Sequence, residues 1–313
     1  MSVVESSVRP IQMVDVLGQY KRYQDEIDSA ILEVIRSGAY INGPRVKEFE
    51  ADIAAYLNVK HAIGCANGTD ALHIALMAIG IKPGDEVITT PFTFVATTET
   101  IAINGGVPVY VDIEPDTFNI DVTKIEEKIT PRTKAIIPVH LFGQPCDMDT
   151  IMAIAKKHNL FVIEDSAQAV GATWNGAKVC GLGDIGSISF YPSKNLGAFG
   201  DAGMVTTNND ELAEKLRSIA NHGSSKTYFH DRLGVNSRLD SIQAAILKVK
   251  LQYLDEWNAN RAAAAKAYDA EFAAHADRIQ TPFIRPEANS IWHQYSIIIK
   301  NGDRDAVSAK LKA

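Results

Sequence analysis

The sequence predicts an α/β protein built on a mostly parallel sheet with helices on both faces. Short apolar stretches alternate with amphipathic segments of helical periodicity from about residue 20 to residue 163. The apolar stretches show no polar alternation, as expected for strands that are covered on both faces. Glycine follows several helical segments, where a left-handed residue ends a helix. In folds of this kind, active sites lie at the carboxyl ends of the strands.

The predicted elements follow in chain order. Helices are predicted over residues 20–37, 46–57, 69–79, 97–104, 122–129, 148–158 and 211–220, and strands over residues 62–66, 86–90, 107–111, 135–139, 160–163, 187–191 and 203–207. A long helix is predicted from Leu239 past Trp257, then a strand over 293–300 and a helix from Arg304. We therefore expect a large domain over 1–250 and the start of a small C-terminal domain over 251–313. The last βα unit ends soon after its helix begins, so the small domain is expected to be incomplete.

Composition and charge exclude several classes of function. The 313 residues include 31 Lys and Arg against 38 Asp and Glu, a net charge of −7, with no basic run of five. Nucleic-acid binding needs clustered basic residues, and a membrane helix needs about 18 apolar residues, so neither partner is expected. Met1–Pro10 has no apolar signal region, and the three cysteines form no close pair. The histidines show no metal-ligand spacing. These features predict a reduced, cytoplasmic protein without a metal.

Two candidate site segments lie where predicted strands end. The strand that ends at Glu164 and Asp165 offers either a buried carboxylate for a cationic ligand group or two acids that cap the following turn. The segment Cys65–Leu72 reads as a strand, a glycine turn and a helix start. The N–H groups of that helix would bind a phosphate, although an ordinary capped helix has the same pattern.

A third segment carries a lysine in close-packed surroundings. Lys194 follows an apolar strand that contains Ser189 and precedes a glycine-rich stretch. A lone lysine is usually a solvated surface residue, but a desolvated one has a lowered pKa and can form a Schiff base. The nearby Gly181–Gly186 matches G-x-G-x-x-G, yet a strand follows it where a dinucleotide site needs a helix.

These three candidate segments together fit one cofactor. Pyridoxal phosphate needs an anion site for its phosphate, a lysine for its aldehyde and an acid that keeps its ring nitrogen protonated. Phe92 and Phe94 follow a strand end, where either could be plain core or could stack on a planar ring. The residues therefore predict a pyridoxal phosphate site.

The sequence resembles the DegT/DnrJ/EryC1/StrS family of pyridoxal phosphate-dependent sugar aminotransferases. The resemblance runs from about Tyr20 to the last residue and is carried by ordered segments: 37–38, 43–44, 65–72, 83–89, 93–97, 129–140, 164–168, 189–195, 221–223, 234–240 and 243–246. It implies an aspartate-aminotransferase-like fold (fold type I), with a large α/β domain, a small C-terminal domain and a homodimer with shared active sites.

The resemblance also implies a role for each matching residue. Lys194 matches the Schiff-base lysine and Asp165 the partner of the pyridinium nitrogen. Gln168 matches the residue beside the ring hydroxyl. The remaining matches are Phe94 as the stacking aromatic, Gly68, Thr69, the N–H of Asp70 and Ser189 as the phosphate cradle, Asn236 as a phosphate ligand from the neighbouring subunit, and Arg238 as a substrate-side group from that subunit.

The activity that the resemblance implies is transfer of an amino group from L-glutamate to a keto nucleotide sugar, for surface-polysaccharide or amino-sugar biosynthesis. Gln168 stands where some members carry histidine, and the segment Cys65–Leu72 together with Gln168 resembles relatives that act on 3-keto more than 4-keto sugars. Two alternatives stay open. A pyridoxal phosphate-dependent sugar dehydratase would be expected to carry histidine in place of Lys194, and a non-catalytic pyridoxal phosphate-binding regulator would need no turnover.

Overall fold

The computed structural model describes residues 14–226, 228–300 and 302–312. Met1–Pro10, on which the interpretation of the N-terminal segment rests, lies outside these residues. At the centre is a seven-stranded sheet in the order β1-β7-β6-β5-β4-β2-β3. Its strands are β1 (His61–Cys65), β2 (Glu86–Thr89), β3 (Val107–Tyr110), β4 (Thr133–Ile136), β5 (Phe161–Asp165), β6 (Ile185–Ser189) and β7 (Gly203–Thr207).

The sheet is mostly parallel, as predicted. Only β7 runs against its neighbours in this sheet, pairing antiparallel with β1 and β6. The remaining pairs, from β6 to β3, are parallel. Strands β1, β2, β5 and β6 therefore end at the same edge of the sheet, which is the edge where sequence reasoning places the site.

Ten α-helices occur in the described parts of the chain. They are α1 (Val16–Arg22), α2 (Gln24–Ser37), α3 (Pro44–Leu57), α4 (Gly68–Ile79), α5 (Ala96–Ile103), α6 (Met148–His158), α7 (Asp210–Ala220), α8 (Ser241–Leu251), α9 (Leu254–Phe272) and α10 (Arg304–Lys312). Gly38 and Gly80 end α2 and α4 in the left-handed conformation, with φ of 68° and 79°. Glycine adopts this conformation without steric cost, so the predicted helix ends are confirmed.

Both faces of the sheet are buried. Successive residues of β5 show this directly, because Val162 packs into an apolar cluster with α6 while Ile163 packs into a cluster with α4 and α7. Helices α3 and α8 cover the first face beside β1 and β6, around Phe49 and Phe190. This two-sided burial explains why the strands read as continuous apolar stretches.

Three predicted helices differ from the structure. The helix predicted over 20–37 is interrupted at Tyr23, between α1 and α2. Residues 122–129 form two short 3-10 turns, Val122–Lys124 and Glu126–Lys128, because their amides bond three residues back and not four. The long helix predicted from Leu239 is divided at Gln252 and Tyr253 into α8 and α9. The interruption places the Tyr253 ring against Tyr23, with centroids 4.0 Å apart.

The strand predicted over 293–300 is reduced to Ile298–Ile299. The carbonyls of Trp292 and His293 accept hydrogen bonds from the Arg261 guanidinium at 3.2 and 3.3 Å, so a side chain and not a neighbouring strand satisfies them. A sequence pattern of apolar residues cannot distinguish these two ways of satisfying the backbone.

Within the residues that the structure describes, no helix is long and apolar enough to cross a membrane, and no cluster of acidic, histidine or cysteine side chains could hold a metal ion. Cys65, Cys146 and Cys180 are buried and unpaired, and burial raises the pKa of each thiol. Such thiols are poor nucleophiles, because the thiolate is the reactive form.

Candidate active site

A cavity of about 770 Å³ lies at the carboxyl ends of β1, β2, β5 and β6. It brings together eight of the ten residues that the sequence predicted for the site. These are Gly68, Thr69, Asp70, Phe94, Asp165, Gln168, Ser189 and Lys194. They come from four separate segments of the chain, so the fold and not sequence proximity creates their arrangement.

The N-terminus of α4 forms one end of the cavity. Asn67 caps this helix, and its Oδ1 accepts a hydrogen bond from the Asp70 amide at 2.8 Å. The Asp70 N–H, predicted as a phosphate donor, is therefore engaged within the turn. Gly68 and Thr69 hold the first two helical positions, whose amides have no acceptor inside a helix. These two amides are the donors that the turn leaves for an anion.

Close backbone approach shapes this end of the cavity. A Cβ added at Gly68 would lie 2.6 Å from the Ser189 Cβ, and one added at Gly203 would lie 2.3 Å from the Asn67 carbonyl. Any side chain at Gly68 would therefore fill the space between the helix N-terminus and the Ser189 hydroxyl. Gly68 and Gly203 therefore leave space for a phosphate cradle, in which the amides of the helix N-terminus and the Ser189 hydroxyl converge.

Asp165 and Glu164 point to opposite sides of β5. Asp165 is 5% exposed and faces the cavity. Its Oδ2 accepts from Thr97 Oγ1 at 2.8 Å, and its Oδ1 accepts from the Ala167 amide at 3.2 Å. A carboxylate can accept about four hydrogen bonds, so acceptor capacity is left for a cationic group in the cavity.

Glu164 is fully buried on the opposite face of β5, where other groups of the protein bind its carboxylate. Its carboxylate accepts from the amides of Cys180, Leu182 and Gly183 at 2.8 to 3.0 Å. His140 lies 3.1 Å from it, and because His140 Nδ1 accepts from a backbone amide, its Nε2 carries the proton and donates to Glu164. The G-x-G-x-x-G match thus binds the protein's own carboxylate through the Leu182 and Gly183 amides.

Lys194 lies across the cavity on the loop after β6. Its backbone amide donates to the Tyr191 carbonyl at 2.8 Å. Burial lowers the pKa of Lys194, and the negative charge of Asp165 counteracts this in part. Burial raises the fraction of neutral amine near pH 7, and the neutral amine is the form that attacks an aldehyde.

Gln168 and Phe94 occupy different depths of the cavity. Gln168 Oε1 accepts from the Phe142 amide at 2.7 Å, which fixes the side chain and leaves the amide nitrogen as a donor. Phe94 is 69% exposed, so its ring lies at the cavity entrance without a packed partner of its own. An exposed ring there is suited to stacking on a bound planar group.

The cavity residues that sequence reasoning did not assign to the site include Thr93, Thr97 and His293. Burial and the charges of Lys194 and Arg261 lower the pKa of His293 to about 3, so the imidazole is neutral at ordinary pH. Its Nδ1 is 3.1 Å from Asn195 Oδ1 and donates to it, which leaves Nε2 as an acceptor. Only tertiary packing brings His293 to the cavity, and no local pattern marks it.

Asn236 and Arg238 do not join this cavity. Asn236 is exposed and pairs by its backbone with Asn221. Arg238 lines a separate groove of about 990 Å³ together with Glu50 and Arg217. Within one chain, therefore, the structure separates these two predicted residues from the other eight.

The residues present fit pyridoxal phosphate. The glycine-lined cradle matches a phosphate, Lys194 an aldehyde, and the buried Asp165 carboxylate a protonated ring nitrogen. Fold and cavity together define the class of pyridoxal phosphate-dependent enzymes with a mostly parallel central sheet.

Comparison with known proteins specifies the family. The model of the DegT/DnrJ/EryC1/StrS aminotransferase family matches residues 21–313. A pleiotropic regulatory protein of Geobacillus stearothermophilus is 52% identical over 96% of this chain and 81% of its own length. A UDP-2-acetamido-2-deoxy-3-oxo-D-glucuronate aminotransferase of Pseudomonas aeruginosa is 50% identical over 97% and 83%.

Two solved structures agree with these matches. DesV of S. venezuelae superimposes with a TM-score of 0.94 at 41% identity, covering 96% of this chain and 81% of that one. NtdA of Bacillus subtilis, solved with its cofactor PMP bound, gives 0.88 at 37% identity, covering 98% and 71%. The chain belongs to the DegT/DnrJ/EryC1/StrS aminotransferase family, and its cofactor is pyridoxal phosphate. The resemblance, fold class and cofactor predicted from the sequence are confirmed.

Proposed function

We propose that this protein transfers the amino group of L-glutamate to the keto group of a nucleotide sugar. The observation that carries the proposal is the single cavity in which Lys194, Asp165 and the N-terminus of α4 converge. When bound there, pyridoxal phosphate supplies an aldehyde that takes up the amino group and a ring that accepts an electron pair. The proposal extends to a cytoplasmic role in surface-polysaccharide or amino-sugar biosynthesis.

Lys194 acts twice in this proposal. Its Nζ first holds the cofactor, because the lowered pKa of the buried amine favours the neutral, nucleophilic form. Once the amino donor had displaced it, the same Nζ would serve as the general base and acid that moves the proton of the donor Cα. A lysine at this position favours transamination over the dehydratase alternative.

The other cavity residues bind and orient. Asp165 pairs with the ring nitrogen and keeps its proton in place, since a carboxylate that is 5% exposed is stabilised by a cationic partner. Gly68, Thr69 and Ser189 hold the phosphate, with Asp70 completing the first turn of α4. Phe94 covers one face of the ring, and Gln168 donates its amide N–H to the ring oxygen.

The proposed sugar is a 3-keto nucleotide sugar. Gln168 supports this, as does the 3-oxo sugar in the name of the Pseudomonas aeruginosa relative. We place the boundary between the large domain and the small domain at residues 250 and 251. The break between α8 and α9 supports this boundary, because the seven-stranded sheet lies entirely before it.

The proposed assembly is a homodimer with shared active sites. Asn236 and Arg238 lie outside the cavity of their own chain, as expected for residues that serve the neighbouring subunit. Tyr228 and Leu233, on the same segment, are 91% and 88% exposed. Large apolar side chains exposed this fully are typical of a surface that a second chain covers.

A regulatory role without turnover is the second candidate, because the Geobacillus stearothermophilus relative is named a pleiotropic regulatory protein. A regulator needs a cofactor pocket but no amine of lowered pKa beside a buried carboxylate. The presence of Lys194 and Asp165 in one cavity therefore favours the enzyme, and measured turnover decides between the two.

The proposal is tested by incubating the cofactor-loaded protein with ¹⁵N-labelled L-glutamate and either a 3-keto or a 4-keto nucleotide sugar. We expect ¹⁵N in the sugar product by mass spectrometry, with faster incorporation for the 3-keto compound. Lys194→Ala should give none, while Lys156→Ala, which changes an exposed lysine of α6, should match the native protein. A deoxy sugar without nitrogen would indicate the dehydratase, and no product from any keto sugar would contradict the enzyme.

A further inference from the structure

We propose that Thr97 is a positioning residue that holds the Asp165 carboxylate aimed into the cavity, and that Thr93 supports it through its hydroxyl. The inference deepens the proposed function and rests on it, since Asp165 is the assigned partner of the ring nitrogen. Thr97 lies in the first turn of α5, and Asp165 ends β5, so the contact joins two elements that are far apart in sequence.

The hydrogen bonds run in one direction. Thr97 Oγ1 lies 2.8 Å from Asp165 Oδ2 and donates its only proton there, because an ionised carboxylate can only accept. Thr93 Oγ1 lies 2.9 Å from Thr97 Oγ1. Since the Thr97 proton is already engaged, Thr93 is the donor in this second bond. The chain from Thr93 through Thr97 ends on the carboxylate.

The Thr97–Asp165 hydrogen bond is buried, which strengthens its effect on the carboxylate. Thr97 has no exposed surface, and Asp165 is 5% exposed, so water does not compete for the bond. Hydrogen bonds to a charged group favour its charged form, and a buried carboxylate with fewer donors takes up a proton more readily. A protonated Asp165 could no longer pair with a protonated ring nitrogen.

The contact also fixes the orientation of the Asp165 carboxylate. Thr97 occupies Oδ2 and the Ala167 amide occupies Oδ1, so the carboxylate is restrained from two sides. Its remaining acceptor capacity is directed at the cavity, which both Asp165 and Lys194 line.

The test uses an isosteric substitution and a matched control on the same helix. Thr97→Val removes the hydroxyl and keeps the shape, and Thr97→Ser restores the hydroxyl. Thr100→Val is the control, because Thr100 is also fully buried but its hydroxyl donates to the Ala96 carbonyl within the helix. The dissociation constant of pyridoxal phosphate is measured for each apoprotein by absorption titration from pH 5 to pH 9.

We expect Thr97→Val to weaken cofactor binding about tenfold at neutral pH and to move the acidic midpoint of binding upward by about one pH unit, as loss of one hydrogen bond to a charged group predicts. Loss of packing alone would weaken binding at all pH values and leave the midpoint unchanged. Thr97→Ser should restore the native midpoint, and Thr100→Val should keep it.

Other titrating groups do not confound the comparison, because they are the same in every variant. Besides the phosphate of free pyridoxal phosphate, the titratable groups that share the cavity or lie behind it are Asp70, Tyr191, Lys194, Asp201, His293, Cys180, Glu164 and His140. A midpoint that Thr97→Val and Thr100→Val shift equally, or that neither shifts, would overturn the inference.

A separate variant distinguishes this inference from the proposed function. Asp165→Asn should weaken cofactor binding and flatten its acidic dependence. If Asp165→Asn has no effect, the assignment of the ring-nitrogen partner fails. If Asp165→Asn behaves as expected while Thr97→Val resembles the native protein, only the role of Thr97 fails.

Discussion

The cavity around Lys194 and the segment that carries Asn236 and Arg238 differ in how complete they are within one chain. In the cavity, polar groups from separate segments of the chain converge, and the Asp165 carboxylate is buried and accepts hydrogen bonds on both oxygens. On the segment, Asn236 is exposed, and Arg238 lines a different groove. A single chain therefore brings together eight of the ten predicted site residues, and we infer that it relies on a second chain for the remaining contacts.

The largest expected effect tests whether two chains share each active site. Asn236→Ala and Lys194→Ala should each be inactive or strongly impaired as a homodimer. When the two proteins are unfolded together and refolded as a mixture, half of the dimers should pair one of each. Each mixed dimer has one intact site, so activity should return to about a quarter of the native value.

The comparison fails if the mixture stays as inactive as its components. Asn236 would then serve its own chain, and the shared-site proposal would be wrong. Asn289→Ala, which alters an exposed asparagine outside both regions, should keep native activity and serves as the control for handling and refolding.

A second prediction concerns the cradle. Gly68→Ala places a Cβ 2.6 Å from the Ser189 Cβ, where the phosphate is proposed to bind. Overpacking of this kind costs about 1–3 kcal/mol, so we expect the affinity for pyridoxal phosphate to fall by about tenfold or more. The cofactor titration should report this loss. If binding is unchanged, the phosphate lies elsewhere.

The smallest effect is expected at Lys250, in α8. This fully buried lysine donates to the Gly197 carbonyl in the loop after Lys194, and burial lowers its pKa from an ordinary 10.5 to about 8. Between these two values the unfolded chain binds more protons than the folded one, so stability rises with pH there.

We therefore compare the free energy of unfolding of the native protein with that of Lys250→Met between pH 8 and pH 10. The native protein should gain on the order of 2 kcal/mol relative to the variant over this interval. Lys156→Met, at an exposed lysine, should show no such gain. An equal pH dependence in the native protein and Lys250→Met would mean that Lys250 is solvated.

Much of the fold could be predicted from the sequence because its signals are local. The strand Gly203–Thr207 and the helix Met148–His158 were predicted with their observed limits, since apolar periodicity and flanking polar residues define them. The break at Tyr253 could not be predicted, because it depends on packing against Tyr23, more than 200 residues away in the chain.

The candidate site divides in the same way. Lys194 and Asp165 stand next to recognisable strand ends, so sequence reasoning identified them, and the structure brings both to one cavity. Thr97 and His293 were missed because their partners, Asp165 and Asn195, are 68 and 98 residues distant. Glu164 and Asp165 looked equivalent in sequence, and only the alternation of the strand separates the structural acid from the cavity acid.

The most direct test of the central claim is the absorption spectrum of the purified, cofactor-loaded protein before and after L-glutamate is added. The account predicts a yellow band that depends on Lys194 and that bleaches on addition of L-glutamate as the cofactor takes up the amino group. A protein that binds no pyridoxal phosphate, or a band that persists unchanged with L-glutamate, would contradict the account.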